Sequence, residues 1–105
     1  MEKKPQYKVM VSDRARQMLA GHVLFLAQNS PAATRRTKNE LMAAIRSLST
    51  MPERFPFINT EFIPLNKYHR MFVRKQYLIL YQIKDQTVWV DYIVDCRQDY
   101  GWLIN

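Results

Sequence analysis

Residues 77–95 read YLILYQIKDQTVWVDYIVD, and this stretch decides the fold. Tyr77 to Ile83 is apolar at nearly every position, which suits a strand covered on both faces. Lys84, Asp85 and Gln86 break the run, and a second strand follows. In it Val88, Val90, Tyr92 and Val94 alternate against Trp89, Asp91, Ile93 and Asp95. So short a polar break demands an antiparallel hairpin. Upstream, YHRMFV (residues 68–73) is a further strand, joined to Tyr77 through Arg74, Lys75 and Gln76. The C-terminal third is therefore a three-stranded antiparallel meander.

The N-terminal half adds one strand and two helices. YKVMVS, from Tyr7, alternates as a short strand, and Ser12 or Asp13 can cap the helix after it. Ala15, Met18, Leu19, His22, Val23 and Leu26 recur at helical spacing and form its buried stripe. Ser30 caps a second helix whose first turn holds Pro31. Thr37, Leu41, Ala44, Ile45 and Leu48 line one side of it. The short join makes the helices an antiparallel hairpin. Residues 52–64, with prolines at 52, 56 and 64, read as an ordered loop whose Phe55, Phe57, Ile58, Phe62 and Ile63 need burial.

The order strand, helix, helix, strand, strand, strand predicts an α+β fold, with the helices packed on one sheet face. The other face is left to the loop and tail, or to function. At 105 residues the chain is a single domain spanning 1–105. One cysteine forms no internal disulfide, and no apolar run approaches the roughly 20 residues of a membrane span. The expected location is cytoplasmic. Sixteen Lys and Arg against nine Asp and Glu give a net charge of +7, which favours a polyanionic partner.

Strand parity sets Tyr68, Arg70, Phe72 and Arg74 on one side. It sets Trp89, Asp91, Ile93 and Asp95 together on the last strand, with Arg97 next. Arginines from the two series are expected to meet over the sheet face that the helices leave open.

In this order, SPAATRRTKNELMAAIRSLSTMP, an arginine-bearing strand and YLILYQIKDQTVWVDYIVDCRQDY resemble the RelE/ParE superfamily of type II toxins. The resemblance runs from Tyr7 to Tyr100 and implies the fold above, with neutralisation by a co-expressed acidic antitoxin. RelE- and YoeB-like members cleave mRNA on the ribosome, whereas ParE-like members poison DNA gyrase. The ending VDCRQDY resembles the YoeB-like one at Cys96, Arg97 and Tyr100, but Asp99 stands where those nucleases have histidine. Leu78 stands where they usually carry an arginine, and RQD also resembles the ParE-like ending.

Metal-independent RNA cleavage needs a base for the 2′-hydroxyl, cations for the phosphate oxygens and an acid for the leaving oxygen. Arg70, Arg97, Asp99 and Tyr100 are the expected catalytic set, and Lys67, His69, Arg74 and Lys75 the expected RNA or phosphate contacts. Asp99 either orients Arg97 or accepts the proton. A phenol, which ordinarily titrates near pH ~10, needs cationic neighbours to act as a base. His22 reads as a packed histidine, Cys96 as a small buried hydrophobe and Trp102 as part of a packed tail. No Cys/His set has zinc spacing and no glycine-rich loop exists, so no metal and no cofactor are expected. The leading expectation is a ribosome-dependent mRNA endonuclease. The alternatives are a gyrase-poisoning toxin and a degenerate member that retains only antitoxin binding.

Overall fold

The structure, a computed structural model, describes residues 6–60 and 63–97. Its elements are β1 (Lys8–Val11), α1 (Asp13–Ala27), α2 (Pro31–Ser47), β2 (His69–Val73), β3 (Tyr77–Lys84) and β4 (Thr87–Asp95). A short 3-10 turn, Pro52–Arg54, follows α2. Of the two candidate caps for α1, Ser12 serves: its backbone is extended and its hydroxyl accepts from the Ala15 N–H at 3.1 Å. Ser30 does the same for α2, accepting from Ala33 at 3.2 Å with Pro31 in the first turn.

The four strands form one sheet in the order β1-β4-β3-β2. β2, β3 and β4 are the expected antiparallel meander, and β1 lies parallel to β4, with Lys8 opposite Thr87 and Val11 opposite Val90. β1 is shorter than β4, so beyond Val11 the chain turns into α1, which runs beside the second half of β4. There the buried His22 Nε2 donates to the Ile93 carbonyl at 2.7 Å, satisfying a strand-edge acceptor that β1 no longer reaches. His22 is the packed histidine its helical position implied.

Leu41, Ile45 and Leu48 and Ala15 of α1 pack on Met71, Val73, Tyr77, Ile79, Tyr81, Val88, Val90 and Ile93. Each fully buried aliphatic side chain here contributes about 1.5–3 kcal/mol. The opposite face holds a second cluster, in which Leu78, Leu80 and Val94 are buried with Ile58 and Tyr68. Ile58 reaches it because residues 56–58 run antiparallel along the outer edge of β2. The Ile58 N–H donates to the Tyr68 carbonyl at 2.8 Å, and the Arg70 N–H to that of Pro56 at 2.9 Å. The proline-punctuated loop thus closes the sheet edge and covers part of the face the helices leave open.

One expectation about that face is corrected. The β3–β4 register slips between Leu80 and Tyr81: Leu80 pairs with Tyr92 but Tyr81 with Val90, so Asp91 is the extra residue of a bulge. Trp89 and Asp91 therefore do not share a face with Ile93 and Asp95. Val88, Val90 and Ile93 all belong to the helix-side core, while Tyr92 and Val94 belong to the other.

Candidate functional site

Arg70 stands exposed on the non-helical face, paired with Leu80 and flanked along β2 by Tyr68 and Phe72. That arrangement is the expected one. Lys67, also exposed, holds its ammonium 5.5 Å from the centre of the Tyr68 ring.

His69 points the opposite way and is buried. Its Nδ1 donates to the Phe55 carbonyl at 2.7 Å, and its ring stacks on Tyr81 at 5.2 Å and lies 4.2 Å from Phe57. The turn after β2 also leaves the strand plane. The Gln76 N–H donates to the Val73 carbonyl at 3.1 Å, with Arg74 and Lys75 at φ 55° and 59°. Two left-handed central residues make a type I′ turn, where Asn-Gly is the usual occupant. Arg74 departs from its expected face and pairs with Glu40 of α2 at 2.7 Å, while Lys75 stays exposed at the tip.

The meeting of Arg97 with Arg70 does not occur among the described residues. Arg97 turns to the helix side, binding the buried Asp95 carboxylate and contacting the Tyr77 hydroxyl at 3.5 Å. Asp95 pairs with Tyr77 in the sheet, and Tyr77 packs on His22 of α1. The bulge is the cause, since the one-residue slip sends Asp95 to the face opposite Arg70. The hydrogen bond to Asp95 raises the Arg97 pKa. Burial, then Asp95, raises that of Tyr77, with Arg97 partly opposing. Burial also pushes the Tyr81 hydroxyl up, and it donates to the Pro52 carbonyl at 2.6 Å. None of these groups is poised to exchange protons near neutral pH. Asp99, Tyr100 and Trp102 lie outside the described residues.

A polar cluster drawn from the same two strand series stands at the other end of the non-helical face. Asp91 Oδ2 accepts from the Tyr68 hydroxyl at 3.0 Å and from Gln82 Nε2 at 2.9 Å. Burial first, and the Asp91 hydrogen bond second, push the Tyr68 pKa up to about 12. Arg14 of α1 donates to the Tyr92 hydroxyl and lies over its ring. The available signal was an aspartate amid the apolar residues of β4, which alternation from Trp89 sets on the face of Tyr68; the bulge reverses only the residues that follow it.

Among the described residues, no group of three or more His, Cys, Asp or Glu side chains is placed to hold a metal ion. No helix among them is long and apolar enough to cross a membrane.

Residues 9–100 match the family described as the ParE toxin of the type II toxin-antitoxin system parDE. The chain belongs to this ParE toxin family. The fold agrees with it: a solved structure titled "Chromosomal ParDE TA system from P. aeruginosa" superposes with a TM-score of 0.71, covering 88% of this chain and 98% of that one. At 8% identity that likeness concerns the fold alone. Comparison with curated proteins finds no match. As a ParE-family type II toxin the chain has an antitoxin as its implied partner.

Proposed function

We propose that this ParE-family toxin acts on DNA gyrase as a binding protein and does not cut RNA. The observation that carries this reading is Leu78. It occupies the position where nucleases of the wider superfamily usually bear an arginine, and it is fully buried in the second core with Leu80 and Val94. A guanidinium there would have to leave water without a partner, so this face is built to be packed at its centre. The separation of Arg97 from Arg70 supports the same reading. Gyrase works in the cytoplasm, which is where this reading locates the toxin.

Cleavage of mRNA on the ribosome is the second reading, favoured by the exposure of Lys67 and Arg70 on one face. One experiment separates the two. The purified toxin is incubated with gyrase, ATP and supercoiled plasmid, and transcript 5′ ends are mapped in parallel after induction in cells. Gyrase-dependent double-strand breaks with unchanged transcript ends are expected. New ends within translated codons, with no gyrase-linked breaks, would reverse the order of the two readings.

A further inference from the structure

We propose that the row Arg14–Tyr92–Tyr68–Lys67 seats an acidic segment of the antitoxin in which two carboxylates flank a hydrogen-bond donor. The proposal rests on the toxin–antitoxin family membership and not on gyrase as the target.

The row crosses one end of the non-helical face, from the first turn of α1 to the residue before Tyr68. Arg14 Cζ lies 4.7 Å from the centre of the Tyr92 ring. The Tyr92 and Tyr68 rings meet edge to face at 5.7 Å and 80°. Lys67 Nζ closes the row 5.5 Å from the Tyr68 centroid. Both cations are exposed. Among the described residues each leans on a ring rather than on a carboxylate, so its charge is held in place and no described acid neutralises it. Arg74 and Arg97, by contrast, are already matched by Glu40 and Asp95. A chain of net charge +7 thus keeps two pre-positioned cations at the ends of one short row.

Asp91 decides between a peptide and a nucleic acid. Its half-buried carboxylate joins the row at the Tyr68 hydroxyl, held by Tyr68 and Gln82 at Oδ2. A phosphodiester chain carries a charge on every residue and would set one against Asp91. A peptide alternates its chemistry, and can offer a carboxylate, then an amide or ammonium donor, then a carboxylate. Trp89, 39% exposed on the same face, supplies an apolar flank for such a segment.

The test measures the affinity of the full-length toxin for its separately purified cognate antitoxin by calorimetry. Arg14→Glu and Lys67→Glu are each expected to weaken binding about tenfold or more, and Arg14→Lys to retain most of it. Arg36→Glu, an equal charge change on α2, is expected to shift affinity severalfold less. In cells the Arg14→Glu toxin should still arrest growth while escaping rescue by the antitoxin. Unchanged affinity, or equal weakening by Arg36→Glu, would overturn the proposal. So would tight binding of single-stranded oligothymidylate that is lost in the same two variants. Should Arg14→Glu fail to fold, Lys67→Glu in the exposed loop decides alone. Failure of the parent toxin to break DNA with gyrase would remove the proposed target and leave this measurement standing.

Discussion

Arg97 binds Asp95 through three nitrogens. Its backbone N–H and Nε donate to Oδ1 at 2.9 and 3.2 Å, and Nη2 donates to Oδ2 at 3.2 Å. The carboxylate side chain is 3% exposed and the guanidinium 50%, so the pair is a buried acid closed from outside by a half-solvated base. Removing the base strands the acid. Arg97→Ala is expected to cost about 1–3 kcal/mol, below the range of a fully buried pair because water can replace part of the guanidinium. Arg70→Ala, on an exposed side chain, should stay within about 0.5 kcal/mol of the parent. Urea unfolding of both variants checks the contrast. Equal stabilities would mean that Arg97 is not a structural residue.

A second prediction concerns Leu78. Leu78→Arg recreates the residue pattern of the superfamily nucleases, but it inserts a charge among Leu80, Val94 and Ile58. A loss of at least about 3 kcal/mol is expected, against about 2–5 kcal/mol for Leu78→Ala from the cavity alone. The arginine variant should unfold at lower urea and show no ribosome-associated cleavage. A stable variant that cleaves mRNA would mean that the second core opens readily, and would put mRNA cleavage ahead of gyrase binding.

Much of this fold was legible in the chain because its signals are local. The caps Ser12 and Ser30, the stripe Thr37-Leu41-Ile45-Leu48 and the polar breaks at 74–76 and 84–86 depend on neighbours within a few residues. Three features are not local. The parallel seat of β1 beside β4 pairs residues about eighty positions apart. The Asp91 bulge depends on where β3 and β4 lock together, and it alone reverses the faces of Asp95 and Arg97. The burial of His69 follows from a loop that returns along β2. Charge marks candidate residues but not the faces they take, and Arg97, Arg74 and His69 lie away from the face that Arg70 occupies.

The β2–β3 turn makes a third prediction. Arg74 and Lys75 both adopt positive φ, at about 1–2 kcal/mol each for an L-residue relative to the right-handed region. Lys75→Gly should therefore raise stability by about 1 kcal/mol, reduced by the chain entropy glycine adds to the unfolded state. Growth arrest is the second readout. If stability rises while toxicity falls, the strained lysine is retained for contact with the target. If toxicity is unchanged, the turn is a tolerated imperfection.

The last prediction follows from Tyr68 and Asp91. Burial and the hydrogen bond to Asp91 hold the Tyr68 proton more tightly in the folded chain, with a pKa about 12 against 10.0 for the free side chain. A pKa raised by folding contributes stability that is fully present below the unfolded value and lost as pH rises through the folded one. For Tyr68 that window runs upward from about pH 10. The parent protein should lose stability progressively across it. Tyr68→Phe should show a shallower alkaline decline after allowance for Tyr77 and Tyr81, whose pKa values are raised in the same direction. At neutral pH the same variant removes a donor from Asp91 but leaves Gln82, so a cost of about 1 kcal/mol is expected there. Urea midpoints measured from about pH 7 to about pH 11.5 separate the two effects. Parallel alkaline slopes for parent and variant would show that Asp91 does not hold the Tyr68 proton, and that the bulge sets these two side chains together without coupling them.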